Sequence, residues 1–288
     1  MSQAIPKFLF LCGRQFDAGS GADHITNREW VMEHLDHYAS KNISSIVVLF
    51  AEQLWIGLDI DLLTFEHFMA GISDMVLLFV ESWGTAAELG AFASIDSLVE
   101  KMLVYNDKKY RESNSFINNG PIKKIRDSNP HGVVFGNLDS IFESGELHDA
   151  LTHLDSIRKT VKPNTSNRVE FVPFCLELLD LIGLLGPVLR KDLIEIYKSV
   201  KGFGNFDLVL PSSTSSISAA FALDFLQISS LAWESSGYLR LNTKAVRKNL
   251  CLLDLSDHEF ECLRAKFMAR KMRYIGSSNL PVFEERSA

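Results

Sequence analysis

The chain has 288 residues, 47% of them hydrophobic and 23% charged, with a formal net charge of −7. That length can bury one large core or two smaller ones, and the composition excludes a disordered or low-complexity chain. Its longest apolar runs are too short to span a bilayer and its first residues lack a secretory h-region, so a cytoplasmic location without membrane association is expected.

Lys7 to Cys12 reads as a short apolar strand that opens into a glycine-bearing loop, Gly13 to Gly21. The loop matches neither GxGxxG nor a Walker lysine motif, which leaves dinucleotide-cofactor and NTPase readings weak. Arg14 suits either a bidentate phosphate contact or a solvated loop cation. Asn27 to Ala39 carries Trp30, Val31, His34 and Leu35 at helical spacing, and Arg28 and Glu29 at its start read as surface residues. Ser45 to Phe50 is a second strand, Phe65 to Ile72 a helix and Asp74 to Val80 a third strand. Glu81, Ser82, Trp83 and a Gly84-Thr85 turn lead into a helix from Glu88 to Val99. Lys101 to Tyr105 and Gly132 to Phe135 are further strands, followed by a helix from about Leu147 to Thr160. Strands alternating with helices predict an α/β fold, a Rossmann-like parallel sheet flanked by helices.

Residues 161–168 form a polar linker with one proline, which suggests domains at 1–162 and 169–288. Beyond the linker the spacing predicts helices at Phe174 to Leu185, Arg190 to Val200 and Ser216 to Trp233. A turn at Ser235-Ser236-Gly237 and a strand at Tyr238 to Asn242 complete the outline of a smaller winged helix-turn-helix domain. Charge divides with the fold. The first 170 residues hold 15 Lys and Arg against 23 Asp and Glu, and the remainder 14 against 13. Arg240, Lys244, Arg247 and Lys248 cluster without an acid between them. They suit either contacts to nucleic-acid phosphates or a solvated basic face. The third helix carries almost no basic residue, so the domain is expected to grip phosphates non-specifically or to bind protein.

The segment most informative about chemistry is Met75 to Gly90. Ligands of open α/β sheets sit beyond the carboxyl ends of strands, and helix-start amides there hold phosphate. Thr85-x-x-Glu88 also fits a capping box, in which the glutamate only satisfies helix amides. Gly84 and Gly90 leave room against the backbone, and Glu81 and Ser82 add more polar groups than a cap requires. Asn114 to Pro121 is dense in amides and turn formers and reads as a loop, with Asn118 a candidate sugar or base contact. Four scattered cysteines form no CxxC pair, and only His34 and His37 share a helix face, so no metal site is expected. No local signature of Ser-His-Asp or Cys-His catalysis is present.

Phe8-Leu9-Phe10-Leu11-Cys12-Gly13 with Gly84-Thr85-Ala86-Ala87-Glu88-Leu89-Gly90-Ala91 resembles the nucleoside 2-deoxyribosyltransferase-like N-glycosidases. More narrowly, Leu78 to Ser82 leading into Glu88 to Phe92, together with Ser115 to Pro121, is similar to the ribosyltransferase/DNA-binding effectors of bacterial retron anti-phage systems. The resemblance implies that Glu88 is the catalytic glutamate of an N-glycosidic bond-cleaving enzyme. Cys12, Gly13, Arg14, Glu81, Ser82, Trp83, Gly84, Thr85 and Asn118 would line its substrate. It further implies a toxic activity with NAD as substrate and no cofactor. A reverse transcriptase and its msDNA, a DNA–RNA hybrid, would restrain that activity, within an oligomer or larger assembly. Two departures stand out. Cys12-Gly13-Arg14 replaces the tyrosine usual after the first strand, and Glu81-Ser82-Trp83 replaces the usual aspartate ahead of the Gly-Thr turn; both favour hydrolysis over transfer between nucleosides. A nucleoside or nucleotide deoxyribosyltransferase, a phosphoribohydrolase and a non-catalytic nucleotide-sensing DNA-binding regulator remain the alternatives.

Overall fold

The computed structural model describes residues 5–14, 26–42, 46–55, 58–156, 159–209, 217–242, 252, 258, 261, 262 and 264–266, with side chains of 37–42 excepted. The chain divides into two compact units, Pro6–Lys159 and Thr160–Ala288, the second together with Met1–Ile5.

The first unit runs β1 (Lys7–Cys12), α1 (Asn27–Asn42), β2 (Ile46–Leu49), α2 (Ala51–Leu54), α3 (Leu62–Ile72), β3 (Met75–Phe79), α4 (Trp83–Ala93), α5 (Asp96–Val99), β4 (Met102–Asp107), α6 (Lys123–Ser128), β5 (Val133–Gly136) and α7 (Gly145–Ser156). The five strands are all parallel, in the order β2-β1-β3-β4-β5. Helices flank the sheet, as the alternation predicts. Successive strand residues face opposite sides, and this period of two sorts the core. Leu9, Leu11, Leu77, Phe79, Leu103 and Tyr105 pack with Val31 and Leu35 of α1 and Leu147, Leu151 and Leu154 of α7. Phe8, Phe10 and Cys12 face the other side, where the Phe10 and Phe92 rings lie 6.1 Å apart. Cys12 therefore points toward α4.

Three details differ from the sequence reading. The helix after β3 begins at Trp83 rather than Glu88, because Ser82 caps it. Ser94 and Ile95 then separate it from α5. The amide-rich stretch is not all loop: Asn118–Ile122 forms a wide helical turn that runs directly into α6. The last helix of the unit is described to Ser156, and Lys159 and Thr160 are not helical. Among the described residues, no helix is long and apolar enough to cross a membrane.

At the amino edge of the sheet, partly buried lysines gather around Asp74. Asp74 accepts from Phe8 N at 2.7 Å and pairs with Lys159 at 2.6 Å, while Lys101 donates to the Gly71 and Ser73 carbonyls, each at 2.8 Å. Burial pulls the Lys101 ammonium down to about 8. The unfolded chain, with an ordinary lysine, then holds more protons than the folded one above pH 8, so this residue's contribution to stability rises with pH up to the ordinary lysine range. Compared with Lys101→Met, the wild type should gain about 1–2 kcal/mol between pH 7.5 and 10. Urea titrations at both pH values measure this; a constant difference between the two proteins would contradict it.

The second unit contains β6 (Arg168–Glu170), α8 (Phe171–Leu185), β7 (Val188–Leu189), α9 (Arg190–Lys201), β8 (Asp207–Val209), α10 (Ala219–Ile228), β9 (Ala232–Ser235) and β10 (Tyr238–Leu241). β7, β10 and β9 form an antiparallel sheet in that order, and β6 pairs with β8 in parallel. The third helix is shorter than its apolar pattern suggests, and Trp233 lies in β9 rather than at the helix end. Two consecutive residues with positive φ, Ser236 at 51° and Gly237 at 78°, close the β9–β10 hairpin. A type I′ turn needs that combination, and glycine adopts it without strain.

Candidate active site

Ligands of a sheet ordered 2-1-3-4-5 bind where the strand order reverses, between β1 and β3. The carboxyl ends of these two strands are tied together by one side chain. Glu81, just after β3, accepts from the Arg14 backbone N–H at 2.7 Å and from the Asn27 amide. Asn27 also donates to the Leu138 carbonyl at 2.9 Å. Gly13 lies inside this clasp. A Cβ there would sit 3.0 Å from Arg28 Cγ and 3.3 Å from Glu81 Oε2, so glycine permits the close approach of both.

The start of α4 is closed by Ser82 and Thr85, without help from Glu88. Ser82 Oγ accepts from Thr85 N at 3.2 Å, and Thr85 Oγ1 accepts from the Glu81 and Ser82 N–H groups, each at 3.0 Å. This is a capping box with threonine in the usual glutamate position. Glu88 follows one turn later, on the same helix stripe as Phe92, and it meets Cys12 because both face the gap between α4 and β1.

Around Glu88 the fold collects charge from four elements. Burial raises the Glu88 carboxyl above its ordinary range; the Arg28 guanidinium and a hydrogen bond from the Cys12 thiol pull it back, and Glu52 pushes it further up. Glu66, on α3, is driven up to about 7 by burial and then by the Glu88 and Glu52 carboxylates. Burial keeps Cys12 in the thiol form, assisted by Glu88. Arg28 pairs with Glu52, donates to the Gly13 carbonyl at 3.3 Å and lies 4.4 Å from the Phe50 ring centroid. Arg28 is thus shared between Glu52 and Glu88, and Glu66, without a cation beside it among the described residues, is the carboxyl that keeps its proton up to about 7.

The remaining expected site residues are less concentrated. Trp83, at the first position of α4, is 93% exposed, and Gly84 beside it is exposed as well. The Arg14 side chain is exposed. Asn118 donates its amide to the Tyr110 carbonyl at 2.6 Å and the Ser113 carbonyl at 2.8 Å. Only its Oδ1, buried and without a partner, is left to offer a ligand. Arg240 is exposed on β10, whereas Lys244, Arg247 and Lys248 lie outside the described residues. His34 contacts His148 at 3.2 Å; the His37 side chain lies outside the described residues. Among the described residues, no group of three or more His, Cys, Asp and Glu is arranged to hold a metal ion.

Glu66, Glu52 and Asn27 carry no signal of a site in the sequence, and Arg28 reads there as a surface residue. Each is an ordinary charged or amide residue on a separate element, with no local motif around it. One available signal was the position of Arg28 and Asn27 at the start of the helix after β1, directly beyond the first strand's mouth.

Comparison with known proteins identifies the group. The sequence matches the STM3845 retron effector protein family over residues 24–229, a span that includes Glu52, Glu66, Glu88 and Asn118. The chain belongs to this family of retron effectors. Two Escherichia coli relatives carry the name of putative ribosyltransferase/DNA-binding protein. That of retron Ec73 is 27% identical over 224 residues, covering 69% of this chain and 68% of the relative. That of retron Ec86 is 32% identical over 126 residues, covering 44% of this chain and 39% of the relative. The shared stretch therefore spans about two thirds of one relative and two fifths of the other.

Proposed function

We propose that this retron effector is an N-glycosidase of antiviral defence that hydrolyses NAD to nicotinamide and ADP-ribose, with Glu88 as the catalytic carboxylate. The observation that carries this reading is that Glu88 is excused from capping α4 and stands, held by Cys12 and Arg28, beside the crossover between β1 and β3. There it either attacks the ribose C1′ or stabilises an oxocarbenium-like transition state. The C1′–N bond breaks with its electron pair going to nicotinamide, which leaves neutral; water supplies the new C1′ oxygen and a proton is released. No strong acid is required. The exposed Arg14 side chain would receive phosphate, Trp83 would stack on a base, and Ser82 and Asn118 Oδ1 would meet sugar hydroxyls. The names of the relatives support ribosyl chemistry together with DNA binding.

In the second unit, the order α8, β7, α9, β8, α10 and the β9–β10 hairpin, with sheet order β7-β10-β9, supports a winged helix-turn-helix interrupted by β8, and Arg240 stands on its hairpin. We assign the retron reverse transcriptase and its msDNA as the partners that restrain the enzyme within a larger assembly, with toxicity following release. Purified protein incubated with NAD tests the chemistry: equal amounts of nicotinamide and ADP-ribose are expected. No turnover of any nucleotide, alongside salt-sensitive DNA binding, would favour a non-catalytic regulator instead.

Glu66 favours a second reading, in which a purine nucleoside or nucleotide is cleaved. A purine leaving group needs a proton donor, and a carboxyl that titrates at about 7 can provide one. The pH profile separates the two. With NAD the rate should climb as Glu88 ionises and then hold level through pH 8. With a purine substrate it should fall above pH 7 as Glu66 loses its proton, and Glu66→Gln should remove that descending limb. A falling limb with NAD would count against the first reading.

A further inference from the structure

The connection from β4 to β5 carries a charge opposite to that of the unit around it. Residues 108–126 hold six Lys and Arg against one acid, Glu112, for a net of +5. The rest of residues 6–159 holds seven Lys and Arg against 21 Asp and Glu, for a net of −14. Three of the six cations have acidic partners: Lys109 with Asp107 at 2.7 Å, Lys124 with Asp96 at 2.7 Å, and Lys123 with Asp127. Lys108, Arg111 and Arg126 have no ion-pair partner among the described residues, and all three are exposed.

The two arginines are not simply spread over a solvated face. Arg111 Cζ lies 5.4 Å and Arg126 Cζ 5.8 Å from the centroid of the same ring, Phe135 on β5, and Arg111 also donates to the Phe135 carbonyl at 3.4 Å. β5 is the last strand of the sheet, so this pair marks its edge. Two like charges held over one ring repel each other until an anion neutralises them. The same connection exposes aromatic surface that no core claims: Phe116 is 81% exposed and Tyr110 49%. A cationic track interleaved with exposed rings is what an unpaired nucleic-acid strand requires, phosphates on the cations and bases on the rings.

We propose that the β4–β5 connection binds single-stranded nucleic acid. Lys108, Arg111 and Arg126 meet its phosphates, and Tyr110 and Phe116 stack against its bases. The acidic remainder of the unit repels a polyanion elsewhere, which confines the strand to this strip. None of these five residues is among the substrate contacts assigned above, and the proposal does not rest on the glycosidase reading.

Fluorescence anisotropy with the full chain and a labelled mixed-sequence 20-mer, between 50 and 300 mM salt, tests it. Arg111→Ala with Arg126→Ala should weaken binding about tenfold and reduce the slope of log K against log salt by about 1.4, as expected for two lost phosphate contacts on a single strand. Tyr110→Ala with Phe116→Ala should weaken binding about tenfold and leave the salt slope unchanged. The duplex of the same sequence should bind less tightly than the single strand. Unchanged binding in both double variants would overturn the proposal, as would equal affinity for anionic phospholipid vesicles. NAD and nucleoside turnover, followed in the same samples, should be the same in these variants as in wild type. An absence of turnover in every sample, with binding lost as expected, would sink the glycosidase reading alone.

Discussion

Glu88→Gln will lower the rate of NAD hydrolysis at least about a hundredfold, roughly 3 kcal/mol of transition-state stabilisation, while leaving the fold intact. The two parts of this expectation rest on different observations. The loss follows from the charge: glutamine keeps the shape of the side chain but can neither attack C1′ nor balance a developing cation. A loss of about a hundred to a thousandfold corresponds to electrostatic stabilisation alone, and a larger one to a covalent ribosyl intermediate. Intact folding follows from the cap, since Ser82 and Thr85 close the start of α4 without Glu88.

Stability should in fact rise in this variant. The folded-state affinity of Glu88 for its proton is raised by burial, so ionising it costs more in the folded chain than in the unfolded one. That cost develops as pH rises from the ordinary carboxylate range through the raised folded-state range. Glutamine removes it, and Glu88→Gln should therefore melt at or above the wild-type temperature at pH 7.5. A residue kept only for structure would show the reverse, a lower melting temperature with activity lost in proportion to unfolding. Trading stability for a charged group at the site is the expected pattern for a working carboxylate. Thermal melts and initial rates on the same preparations distinguish the cases, and a variant that melts lower and retains rate per folded molecule would remove Glu88 from the mechanism.

How much of this was legible beforehand depends on whether a feature is local. The five strands of the first unit were readable because short apolar runs bounded by turn residues are a signal carried by consecutive residues. Glu88 was conspicuous for the same reason, standing after a Gly-Thr turn. The capping arrangement was misjudged by one turn, because Ser82-x-x-Thr85 is a weaker pattern than Thr85-x-x-Glu88, and only the backbone decides which residue has the extended conformation of a cap. Arg28, Glu52 and Glu66 could not be grouped with Glu88 from sequence. They reach it from α1, α2 and α3 through the crossover of the sheet, and nothing in their spacing encodes that meeting. In the second unit the apolar pattern ran through Ser229 and Ser230 and hid the change from α10 to β9. Trp233 fits a helix and a strand equally well until the positive φ of Ser230 breaks the run.

The second large effect concerns stability of the second unit. Glu177→Ala should destabilise it by about 3–5 kcal/mol, the cost of breaking a buried ion pair from one side. Glu177 lies in the middle of α8 and is fully buried, yet every donor around it is aimed at its two oxygens. Oε1 accepts from Asn164 N at 2.9 Å and from Lys201 at 2.8 Å, and Oε2 accepts from the Asn164 amide at 2.9 Å and from Tyr197 OH at 2.7 Å. One carboxylate thus joins the residues before β6 to α8 and to the far end of α9. Removing it strands an ammonium, a phenol and two N–H groups at once, and an apolar side chain of alanine's size leaves a cavity as well. Glu177→Gln keeps the volume and part of the bonding, but turns one oxygen into a donor facing donors, so it should cost about half as much. Adding Lys201→Met to Glu177→Ala should recover about 1–2 kcal/mol, because the stranded ammonium is then gone. Chemical denaturation of the four proteins, followed by near-ultraviolet circular dichroism, measures each step. If Glu177→Ala shifts the transition by less than 1 kcal/mol, the network holds no part of the unit together, and if Lys201→Met restores nothing, the ion pair is not where the cost arises.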